Sequence, residues 1–269
     1  MQIPTTRIGD LEITRFMIGG NPFSGFSHQS RERTQAMLAW YTDARIIETL
    51  FQAQELGLTS CLMRGDPHVT NVLQQYWDQG GTMRWVAQTD SRSITAVDGA
   101  KYCLEHGASA CYLHGGVMDH YVAQERFDEI AAFIQFVQDA GLPAGLAGHM
   151  PVDFEWAEAN VDADFYMVCY YNPSNRALRP EHDPEATERY EPEDREARVA
   201  CIQTLERPAI HYKILAAGRH DPKEAFDYAT AHMRPQDAVV IGVYTEDNPD
   251  MIAEDLDLFM DGLRQAGQT

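Results

Sequence analysis

The feature that most constrains this chain is an alternation that runs its whole length. Short β-branched or apolar runs recur at 13–18, 59–63, 83–88, 108–114, 144–149, 165–171, 209–215 and 238–244. Each is followed by a longer stretch with helical spacing, clearest at 31–56, 69–79, 94–106, 121–140, 193–205, 222–232 and 249–265. Strands that read as continuous apolar runs and alternate with amphipathic helices are the signature of repeated β-α units on a parallel sheet. Asp221-Pro222 and Asn248-Pro249 place a capping side chain before a proline at the start of two helices, and Gly107 and Gly141 follow the ends of two others. Eight such units match the size of a closed (β/α)8 barrel, whereas a doubly wound sheet shows fewer strands and a glycine-rich first turn. Gly19-Gly20-Asn21 lacks the third glycine of that turn. The expected fold class is therefore α/β, a single (β/α)8 TIM barrel domain over 1–269.

Composition narrows the partners. The 269 residues are 44% hydrophobic, enough to fill one large core, and carry a formal charge of -20. That charge repels phosphate backbones and anionic lipid, so nucleic-acid and membrane-surface roles are not expected. No apolar run reaches the ~18 residues of a membrane span, and residue 1 is not followed by a leader-like stretch. A cytoplasmic location is expected, with a small-molecule substrate and a homo-oligomeric state left open. Cys61, Cys103, Cys111, Cys169 and Cys201 are scattered without metal-ligand or redox spacing and read as buried, reduced thiols. One insertion, 179–198, is rich in acid and proline. It reads as a solvated loop leading into a helix or, because this loop faces the active end of a barrel, as a lid.

In a barrel the C-terminal ends of the strands converge on one pocket, so candidate residues can be taken run by run. They are Asn21, Arg64, Asp66, Gln88, Asp90, His114, His149, Tyr170, Tyr171, Asn172, His211, Lys213, Tyr244 and, just beyond the seventh run, Arg219. Lys213 stands out, because the chain has only three lysines and this one lies between Tyr212 and Ile214 in an apolar run. A buried ammonium is paired or functional. It is expected either to bridge to Asp66 or Asp90 or to act as a base, electrophile or amine nucleophile. Alternation puts His211 on the same face as Lys213, one layer deeper. His114 and His149 end neighbouring strands and suggest acid-base duty. A hard cation lacks carboxylates at these rims, while zinc on His114, His149 and Asp66 is an alternative. Gly218 and Gly242 lie where many barrels seat a phosphate.

The opening Ile-Pro-Thr-Thr-Arg-Ile-Gly-Asp-Leu-Glu-Ile-Thr-Arg-Phe-Met-Ile-Gly-Gly-Asn resembles the start of the aldo/keto reductases. The stretch 57–72, Cys111-Tyr112-Leu113-His114 and Asn248-Pro249 resemble later parts of that family in the same order. The resemblance implies an N-terminal hairpin closing the barrel floor, an NADP cofactor and a catalytic histidine at His114. The rest of the family's Asp, Tyr, Lys, His tetrad does not map. Met63-Arg64 stands where the aspartate belongs, no tyrosine follows nearby, and Gln88 replaces the lysine. Thr245-Glu246-Asp247 is acidic where the family binds the cofactor phosphate.

The function expected from these residues is acid-base chemistry of lyase, isomerase or aldolase type on a small oxygenated or anionic substrate, such as a sugar acid or keto sugar. Lys213, His114 and His149 are its catalytic candidates, and Asn21, Arg64, Asp66, Gln88, Asp90, Tyr171, Asn172 and Arg219 its substrate-positioning candidates. An NADP-dependent reductase and a non-catalytic ligand-binding pseudoenzyme are the alternatives.

Overall fold

In the computed structural model, residues 2–171, 179–180 and 189–268 are described. Eight parallel strands close into a barrel: β3 (Phe16–Gly19), β4 (Ser60–Arg64), β5 (Arg84–Gln88), β6 (Ala110–Leu113), β7 (Ala144–Gly148), β8 (Phe165–Cys169), β9 (Ala209–Tyr212) and β10 (Ala238–Gly242), with β10 hydrogen-bonded to β3. Ahead of them, β1 (Thr5–Ile8) and β2 (Leu11–Thr14) form the antiparallel hairpin that the family resemblance implies, turning at Gly9 with φ +52°. Ile8 and Ile13 of the hairpin pack into the same cluster as Met17, Val86, Phe165 and Ile210, so the hairpin plugs the floor. This inner cluster is separate from the larger one between strands and helices, where Phe16 meets Phe226 and Phe259. Parallel strands buried on both faces need apolar residues at nearly every position, which is why the runs show so plainly.

The helices are α1 (Arg31–Trp40), α2 (Asp43–Glu55), α3 (Pro67–Asp78), α4 (Ala96–Glu105), α5 (Gly115–Ala123), α6 (Phe127–Asp139), α7 (Pro151–Asn160), α8 (Pro192–Ile202), α9 (Pro222–His232) and α10 (Met251–Gln265). Two long expected helices are each broken. Between α1 and α2 the chain swings out so that the Tyr41 hydroxyl donates to the Val243 carbonyl at 2.8 Å, and Thr42 caps the new helix. Between α5 and α6 it turns through Glu125 at φ +54°. α5 also starts directly after β6, which makes His114, expected at the end of the strand run, a helix cap.

The five cysteines are buried and free. No helix among the described residues is long and apolar enough to cross a membrane. Of the insertion 179–198, residues 181–188 lie outside the described residues, as does Asn172; its end forms the start of α8, where Arg189 pairs with Asp194 at 2.5 Å.

Candidate active site

A cavity of about 460 Å³ opens at the C-terminal mouth of the barrel. Inward side chains of alternating strand positions make its floor: Leu62, Gln88, Tyr112, Met167, Tyr212 and Val240. The Gln88 amide donates to the Tyr112 hydroxyl at 3.0 Å, which fixes both.

Lys213 lines the same cavity, for a reason that the strand pattern hides. β9 ends at Tyr212, and Lys213 adopts φ +58°, a left-handed conformation that costs a non-glycine residue about 1 kcal/mol or more. Alternation stops there. His211 therefore does not share a face with Lys213; it points outward, its Nδ1 2.9 Å from the Tyr170 hydroxyl and its Nε2 3.4 Å from Asp237 Oδ2. Ala216 and Ala217 follow at φ +49° and +54°, so three strained non-glycine residues cluster here, of which Lys213 and Ala217 line the cavity.

Behind Tyr212 lies a buried polar chain. The Tyr212 hydroxyl is 3.3 Å from His149 Nε2, and His149 Nδ1 is 2.7 Å from Asp119 Oδ2. Asp119 Oδ1 also accepts the His149 backbone N–H at 3.0 Å. The carboxylate holds the imidazole proton on Nδ1, which leaves Nε2 to accept from the phenol. Burial pushes the Tyr212 hydroxyl well above the usual phenol range. Asp153, whose Oδ2 accepts the Met150 N–H at 3.1 Å, is pushed up to about 8 by burial and then by the neighbouring Asp119 carboxylate. A neutral Asp153 leaves the negative charge on Asp119, facing His149. The site needs a glycine at one point. A methyl group on Gly115, in the first turn of α5, would sit 2.9 Å from His149 Cε1 and 3.4 Å from the Tyr212 hydroxyl.

The other candidates divide. Asn21 lines the cavity ahead of a short 3-10 turn, Pro22–Ser24. His114 sits beside Gly115 at the edge of the site and accepts the Gly116 N–H on Nδ1 at 3.0 Å. Asp66 caps α3, taking the His68 and Val69 N–H groups on Oδ1 and Arg64 on Oδ2 at 2.7 Å. Arg64 also covers the Phe26 ring at 4.9 Å. Asp90 is held below its ordinary range, against its burial, by the hydrogen bonds from Arg92. Tyr171 bonds His220 Nε2 at 2.7 Å, and only His220 of that pair faces the cavity. Arg219 lies over Tyr190 at 4.2 Å and donates to the Ala216 carbonyl, away from the cavity. Among the described residues no three His, Cys, Asp or Glu side chains are grouped to hold a metal ion. The strand-end reading does not single out Tyr212, Asp119, Asp153 or Tyr112; Tyr212 enters it only as an apolar flank of Lys213, although its place at a strand end is readable.

No family model and no curated protein matches the sequence. Solved structures do match, and they are mostly aldo-keto reductases. One, assigned as an aldo-keto reductase from Pseudomonas aeruginosa, shares 15% identity over 96% of this chain and 95% of that one, with a TM-score of 0.61. The barrel is similar in fold to those of aldo-keto reductases. A glycerol dehydrogenase from Gluconobacter oxydans superposes with a TM-score of 0.59 at 9% identity, covering 98% of this chain and 96% of that one. A truncated 3-deoxy-D-arabino-heptulosonate 7-phosphate synthase from Thermotoga maritima gives 0.58 at 15% identity, covering 99% and 93%. At such identities the likeness is one of fold. At the positions where the sequence departs from the aldo-keto reductase tetrad, Arg64 is paired with Asp66 and Gln88 with Tyr112, and the phenols that line the cavity are Tyr112, Tyr212 and Tyr244.

Proposed function

We propose that this chain is a barrel enzyme that moves protons at the carbonyl group of a small oxygenated or anionic substrate, such as a sugar acid or keto sugar, in a reaction of lyase, isomerase or aldolase type. The observation that carries the reading is the Asp119, His149, Tyr212 chain, which ends in a phenol on the cavity wall beside Lys213. In this reading Tyr212 gives its proton to the carbonyl oxygen as charge builds there and recovers one from water entering the open cavity, while His149 Nε2, which carries no proton, holds the phenol in place. The Asp119 carboxylate keeps the imidazole oriented and able to accept charge. Lys213 is the base, or the amine that adds to the carbonyl and releases water to give an imine. Gln88 and Asn21 orient the substrate. Borohydride reduction during turnover of keto sugars tests the imine arm: a permanent mass increase on Lys213 supports it, and undiminished turnover by Lys213→Ala rejects any catalytic part for this residue.

A second reading, an aldo-keto reductase-like oxidoreductase, is favoured by the length of the cavity, which runs from Tyr212 to the first turns of α10. The outer end does not fit the phosphate of an NADP cofactor. Asp247, Glu254 and Asp255 line it, and Arg33, its arginine, is bound to Asp247 through both guanidinium nitrogens. Fluorescence titration with NADPH and NADH checks this reading; absence of binding by both dismisses it.

A further inference from the structure

The two ends of the cavity differ in charge. Lys213 and Tyr212 stand at the inner end, while the outer lobe lies against the first turns of α10. There Glu254 is engaged by the Asn248 amide at 2.7 Å, and Asp247 by Arg33. Asp255 is different. It is only 5% exposed, lines the cavity, and receives no hydrogen bond or ion pair from any described residue. Buried carboxyl groups are almost always hydrogen-bonded within the fold, so one that meets only a cavity is an acceptor waiting for a donor brought by a ligand.

We infer that the outer lobe, with Asp255 as its acceptor, holds a hydroxyl- or ammonium-bearing end of the substrate and rejects a phosphate at that end. Among the described residues three acidic side chains line the lobe against one arginine, Arg33, which Asp247 already holds, so a phosphate entering it meets excess negative charge once Asp255 is ionised. A polyol or amine supplies what Asp255 lacks. The inference rests on the proposed carbonyl chemistry for the inner end of the ligand only, because recognition at Asp255 is read from binding and not from turnover.

Three probes that differ at one carbon test it: D-gluconate, 6-amino-6-deoxy-D-gluconate and 6-phospho-D-gluconate. Each is titrated at pH 8, where Asp255 is ionised, into protein with 13C-labelled aspartate, the Asp255 carboxyl carbon being assigned by its loss in Asp255→Asn. The hydroxyl and ammonium probes are expected to shift that carbon, the ammonium probe more strongly if an amine is the natural donor. The phosphate probe should bind at least about tenfold more weakly. In Asp255→Asn, whose folding is checked by its thermal melt, the discrimination should shrink to within about threefold. Equal or tighter binding of the phosphate probe, unchanged discrimination in the variant, or no shift at Asp255 with any of the three overturns the inference. Tyr212→Phe should keep the order of affinities, so that failure of the carbonyl chemistry and failure of the outer site are told apart.

Discussion

His149 Nδ1 lies 2.7 Å from Asp119 Oδ2 inside the wall of the barrel, and 30 residues of sequence separate the two. Nothing in the local pattern joins them; closure of the barrel does, by placing the first helix after β6 against the end of β7. Removing one partner of a buried hydrogen bond to a charged group leaves the other unsatisfied and costs about 1 to 3 kcal/mol. Asp119→Ala should lose stability of that order in chemical denaturation. Asp119→Asn should lose less, and it should also lower the titration of Asp153, since the charge that helps hold the Asp153 proton is gone; carboxyl 13C NMR reads this directly.

Asp255 gives a pH dependence with a definite sign. Its carboxyl is raised from 3.8 to about 7, by burial first and Glu254 second, so the folded protein holds a proton that the unfolded chain releases. Stability from this group is full below about pH 4 and lost as pH rises through about 7. The loss amounts to roughly 4 kcal/mol above that point, since a tenfold change in proton affinity between the folded and unfolded chain is worth about 1.4 kcal/mol. Asp255→Asn should therefore melt higher than the parent at pH 8, with the gain vanishing toward pH 4. A gain that is the same at both values contradicts the assignment.

Gly115→Ala tests how closely α5 approaches the imidazole. The added methyl group meets His149 Cε1 at 2.9 Å, and overpacking of this kind costs about 1 to 3 kcal/mol. The variant should melt lower and shift the His149 ring signals in NMR, and a silent substitution would place the helix farther away.

Asp66 is expected to act on the fold and not on the ligand. Both its oxygens are occupied, by the first turn of α3 and by Arg64. Asp66→Ala should cost about 1 to 2 kcal/mol, the usual value of a lost helix cap, and leave probe affinity unchanged. A loss of affinity with unchanged stability would return Asp66 to the binding surface.

The barrel is legible because its strands are buried on both faces and its helices are amphipathic, so each element carries its own period. All eight strands fall inside the expected runs, apart from Gly19 and Arg64, each one residue past the end of its run. The breaks at Tyr41 and Glu125 are not legible, since a tyrosine bonding a distant carbonyl leaves no local mark. The site is legible only in part. Lys213 and Gln88 stand out because polar residues at strand ends converge in any barrel. His211 is misplaced by strand alternation, which carries β9 through Lys213, where the backbone has already turned left-handed. Asp119 and Asp153 sit within helices at spacings that look like solvated faces, and only the burial of α5 and α7 against β7 reveals them.

The central claim is that the Tyr212 hydroxyl is the group that exchanges a proton with the substrate. Its most direct measurement is kcat of Tyr212→Phe against the parent, on a substrate drawn from a panel of keto sugars and sugar acids followed by NMR. Loss of the hydroxyl should cost about 1 kcal/mol or less in stability but reduce kcat by about 10² to 10⁴. A folded Tyr212→Phe protein that turns over its substrate at the parental rate would contradict the account.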